Sequence, residues 1–346
     1  MMEKKIKRLL FSAEPYFDES FVGYITRLAE MNDIPDIRWI FSEVGCAYNN
    51  SYRFSLDLKV DLTSLSILTG VPKERLQKLL YTREYGNSRR VVGNIMVFGH
   101  PLLQSFVTRE NPKICEECLK DHAYRRKIWE VSAITVCPAH RCLLMDECPA
   151  CNQKLEWVYS AIDSCRCGYD FRMHRPVPRP QKELRIANHL YRVFMLLPAK
   201  EDATFPEHLM HLSPSNVLNV LTFIAGHFAG IRNPLGRNMF KSRTNREIHG
   251  FLNRAMGVFD HWPQGFYAFI AEWIKEPKSI FVNCNMVDAS RVRRLPLSYG
   301  AYELLNQVIK GHFRDEQFKF LWKAFDDYLE TKPPLGNSFE DCLFRY

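Results

Sequence analysis

Seven cysteines and one histidine in the middle of the chain have the types and spacings of metal ligands. They form two sets of four, and each set consists of two short clips whose donors stand two or three residues apart. Two clips that the fold brings together complete a tetrahedral shell, and thiolate-rich shells of this kind select zinc. The first set is Cys115, Cys118, Cys137 and His140, and the second set is Cys148, Cys151, Cys165 and Cys167.

Both predicted shells are closed. Three thiolates with an imidazole fill the first, and four thiolates fill the second, so neither leaves a position for water. We therefore expect two structural Zn²⁺ ions and no metal-assisted hydrolysis. Disulfide bonds are the rival interpretation, but they need an oxidising compartment, and residues 1–11 lack the apolar core of a signal peptide. Cys142 is spare in this block and is expected to be a buried or free thiol.

The sequence lacks the common motifs of catalysis. It has no phosphate-binding loop, no dinucleotide fingerprint, no H-E-x-x-H and no G-x-S-x-G elbow. His208 and His211 stand three residues apart, but no further ligand set accompanies them, so ordinary packing is the simpler interpretation. Asp121 beside His122 is explained as part of a solvated helix face. We expect a protein that is not an enzyme.

The basic excess of the chain is modest. The formal net charge is +8 over 346 residues, and two closed zinc shells would lower it to about +5. Such a charge is compatible with a polyanionic partner but separates nucleic-acid binding only weakly from ordinary solubility. The most apolar run, residues 217–231, contains Asn219 and His227 and predicts a buried helix. We expect a cytoplasmic protein with no membrane contact.

Helical periodicity surrounds the cysteine block on both sides. We predict a mainly α protein with a helical N-terminal domain over 1–110, a two-zinc module over 111–175 and a helical C-terminal domain over 182–346. Prolines at 176, 178 and 180 mark the joint before the last domain. Within the zinc module we expect a helix over 119–131 and small ribbon or knuckle strands such as 133–136. The predicted helix caps are Ser20, Asp61, Ser213 and Thr244, the last in a capping box with Glu247.

A helix-turn-helix outline lies in the N-terminal domain. Leucines at 62, 65 and 68 form one apolar face, Gly70 permits a turn, and Pro72 opens a second helix with leucines at 76, 79 and 80. A packed helical hairpin with a solvated basic face explains the same pattern equally well. If the second helix enters a major groove, the candidate nucleic-acid contacts are Lys73, Arg75, Gln77, Lys78, Arg89 and Arg90.

Two further basic clusters are candidates for contact with nucleic acid. One lies beside the first cysteine set, and the other lies in the C-terminal half of the chain. Each has an alternative interpretation as a solvated arginine-rich face. The residues are Arg125, Arg126 and Lys127 in the first cluster, with Arg243 and Arg246 in the second.

Several motifs together resemble the TniQ/TnsD family of transposition target-selection proteins. The N-terminal segment 15–32 reads P-Y-F-D-E-S-F-V-G-Y-I-T-R-L-A-E-M-N. The middle of the chain reads C-E-E-C, then W-E-V-S-A-I-T-V-C-P-A-H, then C-P-A-C and C-R-C-G-Y-D-F, and F-D-H-W-P-Q-G-F-Y-A-F-I follows at 259–270. The resemblance extends over residues 15–270, and the combination is specific where no single motif would be. It carries all eight predicted metal ligands.

The resemblance implies an adaptor. Members of the family stand between a target-recognition system and an AAA+ ATPase, TnsC, which recruits the transposase to target DNA. TniQ proteins attach to an RNA-guided CRISPR effector such as Cascade with its guide RNA, whereas TnsD proteins read attachment-site DNA directly; the length of this chain favours the first kind. A homodimer and a bacterial cytoplasmic location, at the nucleoid when target is bound, are also implied. A zinc enzyme of nucleic-acid processing is the third hypothesis, which the closed shells disfavour.

The N-terminal region also offers a candidate protein-binding surface. Its aromatic side chains are spaced irregularly ahead of the first predicted helix, so a continuous core face does not account for all of them. We expect them to contact the ATPase or a second copy of the chain. They are Phe11, Tyr16, Phe17 and Phe21.

Overall fold

Helices with short strands between them make up the chain, so the predicted mainly α class is confirmed. The computed structural model describes residues 6–45, 60–83, 94–107, 111–156, 161–197, 204–230, 240, 242–275 and 297–331. The helices are α1 (Phe21–Met31), α2 (Arg38–Glu43), α3 (Leu62–Thr69), α4 (Lys73–Gln77), α5 (Glu116–Asp121), α6 (Arg185–Val193), α7 (Glu207–Met210), α8 (Pro214–Phe228), α9 (Asn245–Gly257), α10 (Gln264–Lys275), α11 (Leu297–His312) and α12 (Lys319–Glu330). The strands are β1 (Thr82–Arg83), β2 (Asn94–Val97), β3 (His100–Leu103), β4 (Val136–Cys137) and β5 (Cys142–Leu143).

The chain divides into two compact units. The first unit comprises Met1–Phe205, Ser213–Leu218 and Phe240–Gly250, and the second comprises Pro206–Leu212, Asn219–Met239 and Phe251–Tyr346. The predicted N-terminal region and cysteine block therefore belong to one unit. Since a compact unit need not match an independently folding domain, the three-domain organisation stays a prediction.

Helix α1 begins as the sequence predicts and buries most of its length. The Ser20 hydroxyl accepts a hydrogen bond from the backbone N–H of Gly23, which caps the helix. Phe21, Tyr24 and Ile25 are fully buried in the core of the first unit. The prediction that Phe21 belongs to an exposed aromatic surface is therefore wrong, because helical spacing turns it to the same face as Tyr24 and Ile25.

The residues before and after this cap explain the N-terminal motif physically. The Glu19 carboxylate accepts two hydrogen bonds from the Arg27 guanidinium, at 2.8 and 2.7 Å. The Asp18 carboxylate accepts a hydrogen bond from Arg126 at 2.6 Å and another from the Tyr124 hydroxyl at 2.7 Å. Charged hydrogen bonds of this type fix geometry when they are partly buried. The motif thus joins α1 to the segment that follows α5.

The helix-turn-helix outline is present as α3, a glycine turn and α4. Asp61 caps α3 by accepting a hydrogen bond from the Thr63 N–H at 2.9 Å. Gly70 ends the helix with φ +73°, a left-handed conformation that favours glycine. Helix α4 has only five residues and so spans about 7.5 Å.

A three-stranded antiparallel sheet over residues 82–103 follows α4, which sequence periodicity did not predict. Its order is β1-β2-β3, and β2 and β3 are joined by a two-residue turn at Phe98 and Gly99. Both turn residues have positive φ, at 49° and 83°. Turns of this kind signal themselves by Asn-Gly or Asp-Gly, so a phenylalanine in the first position conceals the hairpin.

The predicted helix over 119–131 is wrong in extent. Helix α5 ends at Asp121, and only Lys127–Glu130 forms a further single turn of 3-10 helix. Between them the backbone is extended: Ser20 donates its N–H to the Arg125 carbonyl, and Lys127 donates its N–H to the Asp18 carbonyl. These long-range hydrogen bonds replace the local helical ones, which periodicity alone cannot reveal. The predicted strand over 133–136 is likewise reduced to Val136–Cys137.

The start of α9 is tied to the strands of the cysteine block. Thr244 and Glu247 exchange hydrogen bonds and form the predicted capping box. The buried Asn245 side chain donates to the Thr135 carbonyl at 2.8 Å and to the Leu144 carbonyl at 2.7 Å, while its backbone N–H donates to Asp146. This amide therefore holds both sides of the β4-β5 ribbon.

The second unit is helical where it is described. Helices α10, α11 and α12 pack on one another, and the Phe223 ring contacts the rings of Phe269 and Phe313. His208 packs its ring against Trp262 and Phe320, as expected for a packing histidine. Among the described residues, each helix is too short or too polar to cross a membrane.

Candidate metal centres

The first candidate centre is built from two loops that close on each other. Cys115 stands directly before α5, and Cys118 lies in its first turn. Cys137 ends β4, and His140 lies in the turn that leads to β5, where Arg141 has φ +52°. Each clip is thus held at the end of a regular element, and the antiparallel pairing of β4 and β5 fixes the second clip.

The four donor atoms of this centre have the separations of ligands on one ion. The His140 Nδ1 atom lies 3.4 Å from the Cys115 sulfur, 3.3 Å from that of Cys118 and 3.6 Å from that of Cys137. The sulfurs of Cys118 and Cys137 are 3.7 Å apart. A tetrahedral zinc ion with ordinary bond lengths separates two sulfurs by about 3.8 Å and a sulfur from a nitrogen by about 3.6 Å.

The second candidate centre has the same geometry with four sulfurs. The Cys148 and Cys167 sulfurs are 3.7 Å apart, as are those of Cys151 and Cys165. Cys148 is buried, whereas Cys167 is exposed, so this centre lies nearer to solvent than the first. The donor atoms of each set lie within 4.8 Å of one another, and each set could hold a metal ion.

The thiols also fit a metal electrostatically. Hydrogen bonding to Cys115, together with burial, raises the pKa of the Cys137 thiol to about 12. Burial raises the pKa of the Cys165 thiol to about 12 as well. Thiols crowded in this way cannot all ionise unless a cation neutralises them, and a divalent metal does so. The donor sets therefore fit metal-bound thiolates better than free ones.

Asp121 supports the first centre from outside, a role that the sequence analysis assigned to solvent. Its carboxylate lies 3.6 Å from the Nε2 atom of His140, on the opposite side of the ring from the sulfurs. A carboxylate at this position favours the tautomer with its proton on Nε2, which leaves Nδ1 free to bind metal. The spacing of three residues from Cys118 was the only available signal.

Replacing Asp121 by asparagine is expected to weaken metal binding at the first centre about tenfold, as loss of an outer carboxylate partner does. The measurement is competition with a chromogenic chelator. Glu117→Gln is the matched control, since Glu117 also lies on α5 but pairs with Lys120 at the surface. Equal affinities of the two variants would contradict the assigned role.

The candidate nucleic-acid residues on α4 lie at the surface. Lys73, Arg75, Gln77 and Lys78 are exposed, while Leu76 between them is buried. The Lys73 ammonium donates to the Thr63 hydroxyl at 2.8 Å, and Arg75 forms an ion pair with Glu14 at 3.0 Å. These side chains remain available to a partner, because exposed pairs of this kind are weak. Arg89 and Arg90 lie outside the described residues.

Two members of the 125–127 cluster are corrected by the structure. Arg125 and Lys127 are each 5% exposed, so neither reaches a phosphate in this conformation. The Lys127 ammonium donates to the carbonyls of Lys78 and Leu80 and lies 4.5 Å from the Tyr81 ring centre. Burial lowers the pKa of Arg125 to about 10. The sequence shows three adjacent cations, but the extended backbone here alternates its side chains between opposite faces.

The remaining cationic candidates lie in different surroundings. Arg126 is partly exposed and pairs with Asp18 at 2.6 Å, above the Tyr124 ring. Arg243 is half-buried, and Arg246 is exposed on the first turn of α9. The structure thus gathers the α4 residues on one surface and does not join them to the other candidates.

A family model supplies the comparison with known proteins. The TniQ model matches residues 10–144. The chain carries a TniQ domain. The matched region runs from the segment before α1 through the β4-β5 ribbon, and it includes all four donors of the first centre. No curated protein matches the chain.

The TniQ domain implies a transposition-associated role in target selection. Proteins of this family are non-catalytic regulators and adaptors of transposition, which is consistent with the expectation that the protein is not an enzyme. The sequence resemblance to the family is confirmed over the matched residues.

Proposed function

We propose that the protein is a target-selection adaptor that links an RNA-guided effector, such as Cascade with its guide RNA, to the AAA+ regulator TnsC. TnsC then brings the transposase to the target DNA. The observation that carries this proposal is the TniQ match over 10–144, which coincides with a continuous stretch of the first unit. The protein acts by binding and is not an enzyme.

In this proposal the two centres hold structural Zn²⁺. The eight ligands are those of the two cysteine-rich sets, and the separations of their donor atoms support tetrahedral binding. The metals stabilise a region that is built mainly of short elements and turns. Such regions bury too little apolar surface to fold without a crosslink or a metal.

Protein contacts are proposed for the apolar residues ahead of α1. Phe17 is 82% exposed, Leu10 is 85% exposed, and Phe11 is 54% exposed. Exposed apolar side chains that cluster in a short segment mark interaction surfaces. We assign TnsC or a second copy of the chain to this surface, as the family resemblance implies. Tyr16 contributes less, because its ring stacks on Tyr124 with centroids 4.2 Å apart.

Direct reading of attachment-site DNA is the second candidate function. The exposed basic and amide side chains of α4 favour it, since Arg, Lys and Gln are the usual donors to bases and phosphates. The short length of α4 and the burial of Arg125 and Lys127 reduce the number of contacts available in the first unit. We therefore place this function second.

Co-purification separates the two functions. The full-length protein is expected to co-purify with the effector complex and with TnsC, and sequencing of the bound nucleic acid is expected to return guide RNA. Recovery of TnsC together with one fixed chromosomal sequence, and no guide RNA, would instead identify a direct reader. Recovery of neither partner from cells that carry the transposon would contradict the adaptor proposal.

A variant of α4 gives a quantitative test. The triple substitution of Lys73, Arg75 and Lys78 by alanine is expected to leave effector binding unchanged in an adaptor. In a direct reader it would reduce the slope of log K against log salt by about 0.9 for each lost phosphate contact. The measurement is a salt titration of binding to duplex DNA, with Glu74→Gln on the same helix as control.

A further inference from the structure

Cys142 is a fully buried thiol that belongs to neither set of four donors. It begins β5, two residues after His140, and its relative exposure is 0%. Its sulfur lies 3.6 Å from the sulfur of Cys115, one of the donors of the first centre. This distance is within about 0.2 Å of the separation that two thiolates adopt on one tetrahedral zinc ion.

A second donor of the first centre approaches the same thiol. Cys137 and Cys142 are directly paired residues of the β4-β5 ladder. Side chains of directly paired residues project from the same face of a ladder, with Cβ atoms about 5 Å apart. Cys142 is thus held between the donors Cys115 and Cys137, and the strand pairing prevents it from leaving.

The surroundings of Cys142 contain a further buried group. Cys115, Cys142 and the Glu116 carboxyl lie within 4.8 Å of one another, and Glu116 is 2% exposed. Its Oε2 atom has no hydrogen-bond partner among the described residues. A buried carboxyl without a donor disfavours another negative charge beside it. A hydrogen-bond donor suits this position better than a second anion.

We propose that Cys142 is a fifth donor of the first centre, which supports the metal-bound Cys115 thiolate and replaces His140 when the imidazole leaves. This inference rests on the metal binding set out under the proposed function. While four donors fill the shell, the Cys142 S–H donates to the Cys115 sulfur. When His140 dissociates, Cys142 binds the metal as a thiolate and releases its proton to solvent, so the shell changes from three sulfurs and one nitrogen to four sulfurs.

The replacement is chemically reasonable for this ion and this position. His140 is the donor of the first set with substantial solvent exposure, and its side chain is 28% exposed. The outermost ligand is the one that water or a partner displaces first. A soft thiolate is a good ligand for zinc, so the metal loses little on exchange. The centre would keep its ion where a four-donor site would lose it.

Metal content in four proteins tests the replacement. Wild type, His140→Ala and Cys142→Ala are each expected to hold two ions per chain, and the double variant is expected to hold one. Elemental analysis of folded protein gives the counts. If His140→Ala already holds one ion, the replacement does not occur. If wild type itself holds fewer than two, the proposed metal binding fails first, and the two failures are distinguished.

Cobalt substitution reports the exchanged ligand directly. In His140→Ala loaded with Co²⁺, the sulfur-to-metal charge-transfer absorbance should rise by about one seventh, because the thiolate count increases from seven to eight. An unchanged or reduced absorbance, with two cobalt ions bound, would mean that water and not Cys142 fills the vacated position, and it would overturn the proposal.

The supporting hydrogen bond has its own test, which does not depend on the folding of His140→Ala. Cys142→Ala should release its first metal to a chelator about tenfold faster than wild type, as expected for loss of an outer-shell partner. Cys142→Ser keeps a donor of similar size and should restore much of the wild-type rate. Equal rates for all three proteins would overturn the proposed support of Cys115.

Discussion

Replacing Cys118 by serine is expected to remove one of two metal ions and to unfold much of the first unit. The side chain is 4% exposed and lies 3.7 Å from Cys137 and 3.3 Å from the His140 Nδ1 atom. Its loss leaves three donors, and structural zinc contributes about 10 kcal/mol or more to the folding of small metal modules. That exceeds or rivals the whole stability of an ordinary domain, about 5–15 kcal/mol.

The measurement combines metal content with thermal unfolding. The variant should contain about one ion per chain and lose a cooperative transition that chelation also abolishes in wild type. Glu117→Ala is the matched control, because Glu117 is the neighbour of Cys118 on α5 and its ion pair with Lys120 lies at the surface. Its unfolding free energy should change by less than about 0.5 kcal/mol. A Cys118→Ser protein that folds with two ions would refute the assignment of the first centre.

Replacing Lys113 by methionine is expected to destabilise the first unit by about 3 kcal/mol. The Lys113 ammonium is buried and donates to the carbonyls of Val131, Ser132 and Ile134 at 2.5–3.3 Å. Methionine fills a similar volume but supplies no donor, and each buried acceptor left without one costs about 1–3 kcal/mol. Burial lowers the pKa of Lys113 to about 7.

Chemical denaturation of the two proteins gives this difference in free energy. Lys154→Met is the control, because Lys154 belongs to the same unit but is exposed, and its substitution should change the free energy by less than about 0.5 kcal/mol. Metal content must be equal in both variants, so that the carbonyl contacts alone are compared. Equal stability of Lys113→Met and wild type would show that these carbonyls find other donors.

Features that depend on neighbours in sequence were predictable. The donors of each clip are separated by two or three residues, so the chain alone brings them to one side of an ion. The caps at Ser20, Asp61 and Thr244 are equally local, since a side chain bonds to a backbone N–H two or three residues away. Both kinds of prediction rest on short stretches with few conformations.

Features that depend on distant residues were not predictable. The 119–131 helix failed because the backbone of residues 125–127 bonds to Asp18 and Ser20, about a hundred positions away. The β1-β2-β3 sheet was missed because its strands are only two to four residues long and its tight turn contains phenylalanine. Tertiary hydrogen bonds override local preference when they satisfy backbone groups that would otherwise be buried alone.

The sequence by itself determined which atoms can form two tetrahedral centres and which family the motifs resemble, because both are written in residue types at fixed spacing. Only the tertiary structure decided which cations are exposed, and it removed Arg125 and Lys127 from the nucleic-acid candidates. It also revealed Asp121 behind His140 and Cys142 beside Cys115. Exposure and contact are properties of the packed chain: they arise where elements far apart in sequence meet, and residue spacing carries no record of those meetings.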